Sequence, residues 1–278
     1  MNNQELISAF EERLITQRYS PNSIKIYVGC VCSFLKTFSK YNPQDISLEL
    51  IEKYILWIIK EKNISASYQK QILFSITKFY DSIYNKKLDL YSLYPKRAEY
   101  KLPKYLSLSD VQKIINETDN LKHKSIISVL YGGGLRLSEL INLQLSDINS
   151  DKMLIFIRQS KGKKDRVVML SEKLLTLLRQ YYVAYKPKVW LFEGQSGGQY
   201  SAKSIQQVVK SAAQKAGINI NVTPHTLRHA FATHLIENGT DIRFIQELLG
   251  HNSIKTTEKY TLITDVSKSK IKSPLDLL

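Results

Sequence analysis

The chain has 278 residues, room for two domains of ordinary size with a proper core in the larger. Its 40 Lys and Arg against 25 Asp and Glu give a formal charge of +15, which favours a polyanionic partner such as nucleic acid. No apolar run is long enough to span a bilayer, and the acidic, amphipathic opening MNNQELISAFEERL is unlike a secretory leader, so a membrane location is excluded and a cytoplasmic one expected.

The first ninety-odd residues are helical by period. Apolar residues recur at helical spacing near 3–17, through SPNSIKIYVGCVCSFLKTF with Ser20 as cap and Pro21 at the first helical position, and near 47–61 and 65–84. This predicts a compact four-helix unit. Cys30 and Cys32, the only cysteines, diverge on the second helix and read as reduced core or boundary thiols. In LYPKRAEYKLPKYLS, Pro95 and Pro103 bracket a basic, extended stretch, and the helical rhythm resumes at Ser107. The chain thus divides into a helical domain over 1–94, a linker over 95–106, a larger domain over 107–266 and a tail over 267–278.

In YGGGLRLSELINL, Gly132, Gly133 and Gly134 end one helix and let backbone or ligand come close. Arg136 begins the next element, where its simplest role is a surface pair with Glu139. MLIFIRQSKGKKDRVVML, residues 153–170, breaks the rhythm: two β-rich runs flank a polar tip and predict a hairpin displaying Lys161, Lys163 and Lys164. Helices follow near 171–184, 203–216, 224–237 and 240–249. The fold class is mainly α with a small β-sheet or hairpin in the larger domain, an α+β arrangement.

PHTLRHAFATHLIENG holds three of the five histidines. Pro224 and Gly239 punctuate one helix. At about 100° per residue, Leu227, Ala230, Phe231, His234 and Leu235 share one face, and His225, Arg228, His229 and Ala232 the other. His234, inside the apolar stripe, reads as a packed histidine with one satisfied nitrogen. His225 and Arg228 leave the core on the opposite face and point at one ligand. His225 and His229 have the spacing of a zinc-binding helix, but Thr226 stands where a metalloprotease carries glutamate, and Arg228 sets a fixed positive charge beside any cation. Guanidinium and imidazole donors suit an anion instead. LLGHNSIKTTEKYTLI then ends a helix at Gly250, holds His251 in a turn, and starts another helix at Ser253 that carries Tyr260.

Arg136 in GGGLRLSEL, Lys161 in SKGKKDR, HTLRH at 225–229, LLGH ending at His251, and Tyr260 nine residues later form an ordered pattern. It resembles the tyrosine recombinases, or phage integrase family, over almost the whole chain, with the short Xer-like members most similar in layout. The resemblance implies a SAM-like N-terminal domain and a catalytic domain that form a clamp around duplex DNA. It implies Tyr260 as nucleophile, Arg136 and Arg228 as clamps on the non-bridging phosphate oxygens, and His225 and His251 as further hydrogen-bonding groups. His225 could also take the tyrosine proton, and Lys161 would protonate the departing 5′ oxygen. Neither metal nor nucleotide cofactor is implied. The implied partners are double-stranded DNA bearing a specific recombination site and further copies of the chain in a tetramer. The leucine-rich end, Leu275, Leu277 and Leu278, would dock on a neighbouring protomer or fold back on its own domain. A type IB topoisomerase-like relaxation, or a non-catalytic DNA-binding accessory role, uses parts of the same pattern.

Overall fold

A computed structural model describes residues 2–96, 105–158, 165–251 and 253–261, with only the backbone of residues 255, 259 and 261. The chain divides into two compact units, Met1–Lys101 and Leu102–Leu278. Lys161, linker residues 97–104 and the tail beyond Thr261 lie outside the described residues.

The first unit contains helices α1 (Asn3–Thr16), α2 (Pro21–Thr37), α3 (Leu48–Lys62) and α4 (Ala66–Tyr84). The side chains of Asn2, Ser20, Ser47 and Ser65 each accept a backbone N–H of the first turn. A cap of this kind contributes about 1 kcal/mol. The α2 helix lies against α1 and α4, and Phe10, Phe34, Phe79 and Tyr80 fill the space between. Phe10 meets Phe79 edge-on at 5.6 Å, the favoured geometry for two ring quadrupoles. The Tyr80 hydroxyl, buried with its ring, donates to the Pro43 carbonyl. Cys30 is buried and Cys32 exposed, both as free thiols.

The second unit carries α5 (Leu108–Asn116), α6 (Leu121–Gly132), α7 (Leu137–Ile141), α8 (Glu172–Tyr185), α9 (Ala202–Lys215), α10 (Pro224–Glu237), α11 (Ile242–Leu249) and α12 (Ile254–Thr261). Strands β2 (Leu154–Ile157) and β3 (Arg166–Met169) form the expected hairpin, with Ile155 opposite Val168 and Ile157 opposite Arg166. A third strand, β1 (Ile148–Asn149), pairs antiparallel with β2. Two residues are too few to show an alternating period, so β1 left no mark in the sequence. Ile155, Ile157 and Val168 point into the core, and Phe156, Val167 and Met169 point out. Among the described residues, no helix is long and apolar enough to cross a membrane.

The α6 helix runs through the middle of this core, burying Ile126, Ile127, Val129 and Leu130 against α8 and α10. Its end needs glycine at one position. Gly134 has φ +57°, and a Cβ there would lie 2.4 Å from Phe231 Cδ1 on α10. His234 is buried as expected, but with both ring nitrogens satisfied rather than one. Nε2 lies 2.9 Å from the Leu106 carbonyl and Nδ1 2.9 Å from the Tyr131 hydroxyl. A carbonyl only accepts, so Nε2 carries the proton and Nδ1 receives that of Tyr131. Burial lowers the His234 pKa, which keeps this neutral form.

Candidate active site

The site is built around the end of α11. The last carbonyls of a helix have no partner inside it and carry its negative dipole end, so they attract cationic donors. Here three successive carbonyls each receive an arginine. Arg166 Nε donates to Leu248 at 2.7 Å, Arg136 Nη2 to Gly250 at 3.1 Å, and Arg228 Nη2 to Leu249 between them. The arginines come from β3, the start of α7 and α10, so one helix end gathers three distant segments.

Glu139 closes the cluster. Its buried carboxylate accepts from Arg136 Nη1 at 2.8 Å and from Arg166 Nη1 and Nη2 at 2.6 and 2.9 Å, with Arg228 Nη1 3.7 Å away. Three guanidiniums around one carboxylate leave two positive charges among these four side chains. Guanidinium donors gathered so closely, with Arg228 and Arg166 buried and Arg136 partly exposed, are suited to an anion. Arg228 also donates to the Gly134 carbonyl at 2.7 Å, the second reason that backbone comes so close. Burial, then the charge of Arg136, pushes the Arg228 pKa down to about 10, which leaves it protonated at neutral pH.

The sequence places Arg228 on a face that leaves the core. The structure corrects this: Arg228 is 1% exposed and Ala232 fully buried. The helices α11 and α12 pack on α10 from that side, so α10 is covered on both faces. His225, at the start of the same helix, does remain exposed, and its ring stands 4.0 Å from that of His229.

Tyr260 is brought in by α12. Its ring is 3% exposed, 5.1 Å from the His229 ring and 6.2 Å from the His251 ring, nearly parallel to the latter at 17°. Burial raises the Tyr260 pKa, while Arg228 and Arg136 pull it back down. His251 follows the end of α11, where burial and then Arg228, Arg136 and Arg166 push its pKa down to about 4. Partial desolvation, with Arg228 and Arg136, likewise lowers that of His225. These imidazoles are therefore neutral at pH 7, able to accept a proton or to donate a single N–H.

Of the six side chains picked out in the sequence, Arg136, His225, Arg228, His251 and Tyr260 surround one another, and Lys161 lies outside the described residues. The pairing of Arg136 with Glu139 is also present, as part of the cluster and not instead of it. Arg166 was missed. Its signal was the alternation of β3: two residues before inward-facing Val168, it shares the inner face. Among the described residues, no group of three or more His, Cys, Asp or Glu is placed to hold a metal ion.

Comparison with known proteins places the chain in a family. The phage integrase family profile matches residues 104–266, and the phage integrase N-terminal SAM-like domain matches residues 6–90. Tyrosine recombinase XerA of Pyrococcus horikoshii is 34% identical over 266 residues, covering 94% of this chain and 90% of the relative. A crystal structure of XerA recombinase is similar with a TM-score of 0.57 at 30% identity, over 97% of this chain and 99% of that one. A lambda integrase, solved as a tetramer bound to a Holliday junction, shares the fold with a TM-score of 0.78 at 16% identity, over 99% of this chain and 81% of that one. The helical fold with its small antiparallel sheet is thus that of a DNA strand-exchange enzyme. The chain belongs to the phage integrase family, as a tyrosine recombinase that acts in site-specific recombination.

Proposed function

We propose that this recombinase cleaves and rejoins double-stranded DNA through Tyr260. The observation that carries the reading is the burial of one phenol against an arginine cluster with excess positive charge. The Tyr260 oxygen attacks a backbone phosphorus, its proton passes to His225, and the bond to the 5′ oxygen breaks. Lys161 supplies that oxygen with a proton. The products are a 3′-phosphotyrosyl link and a free 5′ hydroxyl, and attack by another strand's 5′ hydroxyl reverses the step. Because the link conserves the phosphodiester bond energy, neither metal nor nucleotide cofactor is required.

Arg136 and Arg228 hold the non-bridging oxygens as negative charge grows, and His251 donates to the same group. A preorganised donor of this kind lowers the barrier by about 2.7–4 kcal/mol. The cluster is set in place before DNA arrives, since the α11 carbonyls and Glu139 already fix the guanidiniums.

The helical domain over 1–94 takes further DNA contacts, the basic linker over 95–106 follows the duplex, the domain over 107–266 carries the chemistry, and the tail over 267–278 makes protein contacts. Phosphate contacts from a chain of charge +15 make binding steeply salt-dependent. We place the enzyme in the cytoplasm, as a homotetramer on two copies of a specific site. Relaxation of a single duplex by a monomer is not favoured by the Xer likeness, nor is a purely accessory role.

The test uses nicked duplexes drawn from a randomised pool by covalent capture. The chain is expected to form an adduct that leaves a free 5′ hydroxyl, and to recombine paired copies of the selected site. A chain that binds DNA yet forms no adduct overturns the reading, and one that relaxes without recombining returns it to a topoisomerase.

A further inference from the structure

One turn before Tyr260 on α12 stands Thr257, fully buried, with its hydroxyl oxygen 3.0 Å from His251 Nδ1. The backbone of His251 is fixed separately: its N–H donates to the Gln246 carbonyl at 3.0 Å, and its carbonyl accepts from Gln246 Nε2 at 3.0 Å. Thr257 therefore acts on the ring rather than on the fold of the turn.

A neutral imidazole has one N–H, and the partner of one nitrogen decides the role of the other. Burial and the neighbouring arginines keep His251 neutral. Were Nδ1 to hold the proton and donate to Thr257, Nε2 would face an anion with a lone pair. With the hydroxyl as donor, Nε2 keeps the proton and can give it to a phosphate oxygen.

We propose that Thr257 is a positioning residue whose hydroxyl donates to His251 Nδ1, holding the ring in its Nε2–H form so that the second nitrogen donates to the phosphate. The assignment rests on the recombinase reading of the site. It gives α12 two tasks, because the helix that delivers the phenol also sets the protonation of the histidine beside it. Nucleophile and donor become competent together, when α12 is seated.

Two substitutions separate this role from packing. Thr257→Val keeps the shape and methyl and removes the hydroxyl; Thr257→Ser does the reverse. The Val variant should bind duplex with the parent's affinity and form adduct about ten-fold slower, as expected for one lost hydrogen bond, whereas the Ser variant stays near the parental rate. A fast Val variant, or equal slowing in both, overturns the assignment. Nitrogen-15 spectra of the parent's histidines give a readout that needs no reaction: His251 should be protonated at Nε2, and in Thr257→Val it should lose that preference. A parent protonated at Nδ1, with Thr257 donating to backbone instead, also overturns it. Failure of the parent to form any adduct would instead sink the recombinase chemistry, leaving the tautomer measurement to stand by itself.

Discussion

Between Asn3 and Tyr84 the buried side chains are aromatic and aliphatic apart from the Cys30 thiol, and the one buried Ser, Thr or charged residue described there, Ser75, donates to the Gln71 carbonyl one turn back. Between Leu106 and Tyr260 the interior also holds Arg228, Glu139, Asp147, His234 and Thr257. The first pattern is what a small helical unit needs to be stable. The second is expensive. Asp147 is matched by Arg158 at 2.7 Å and by the Gln144 N–H at 2.9 Å, which is pairing enough for structure alone. The arginine cluster gathers three guanidiniums on one carboxylate and one helix end, and under the proposed function that is where the phosphate is held.

The contrast can be broken first in the apolar unit. Phe34→Ala should cost the helical unit about 3–5 kcal/mol, read as faster hydrogen exchange in α4 with α6 unchanged. Equal loosening of α6 would mean that the two units do not unfold separately.

In the charged unit the expected effect is on rate. Arg228→Lys should slow adduct formation by about 100-fold or more, because the point charge of lysine cannot span the contacts of guanidinium, while DNA affinity changes only a few-fold. Equal losses in rate and affinity would make Arg228 a binding group only.

Gly134→Ala sharpens the comparison, since it strains the junction between core and site without touching any charge. Its positive φ and the Cβ overlap with Phe231 should cost about 1–3 kcal/mol in thermal unfolding. A neutral result would show that Phe231 withdraws and that the backbone at residue 134 leaves its left-handed conformation.

Acid tests the same contrast through histidine. All five histidines lie in the second unit, and the pKa values of His123, His225, His234 and His251 are lowered there, each by burial first. Between about pH 6.5 and pH 4 the unfolded chain binds a proton at His251 that the folded chain refuses, and the other three histidines act in the same direction below about pH 6.5. Stability of the second unit should therefore fall as pH drops through that window, while histidine contributes nothing in the first. Hydrogen exchange at pH 7 and pH 5 should show α10 loosening relative to α2; the opposite order would contradict the assignment of neutral histidines.

How much of this was legible in the sequence follows from the range of each signal. Helices with a local period and local caps, such as Pro21–Thr37 behind Ser20 and Pro224–Glu237 before Gly239, were readable because every cue lies within a few residues. The burial of Arg228 was not, because a helical wheel registers one apolar face and is blind to the two helices that cover the other. The hub at Glu139 was hidden for a similar reason: its partners stand 3, 27 and 89 residues away in number, at Arg136, Arg166 and Arg228, and only the turn at the end of α11 unites them. His251 and Tyr260 could be named only through the resemblance of LLGH and the following TEKY segment to the family's pattern, and that resemblance did not point to the hydroxyl of Thr257 between them.

The account centres on one phenol, and the most direct measurement is to identify which of the 17 tyrosines becomes joined to DNA. Adduct trapped on a nicked duplex, digested with protease and nuclease, should yield one nucleotide-bearing peptide with the modification on Tyr260, and Tyr260→Phe should bind the duplex and yield none. Modification of any other tyrosine, or an adduct that persists in the Phe variant, would contradict the assignment of Tyr260 as nucleophile.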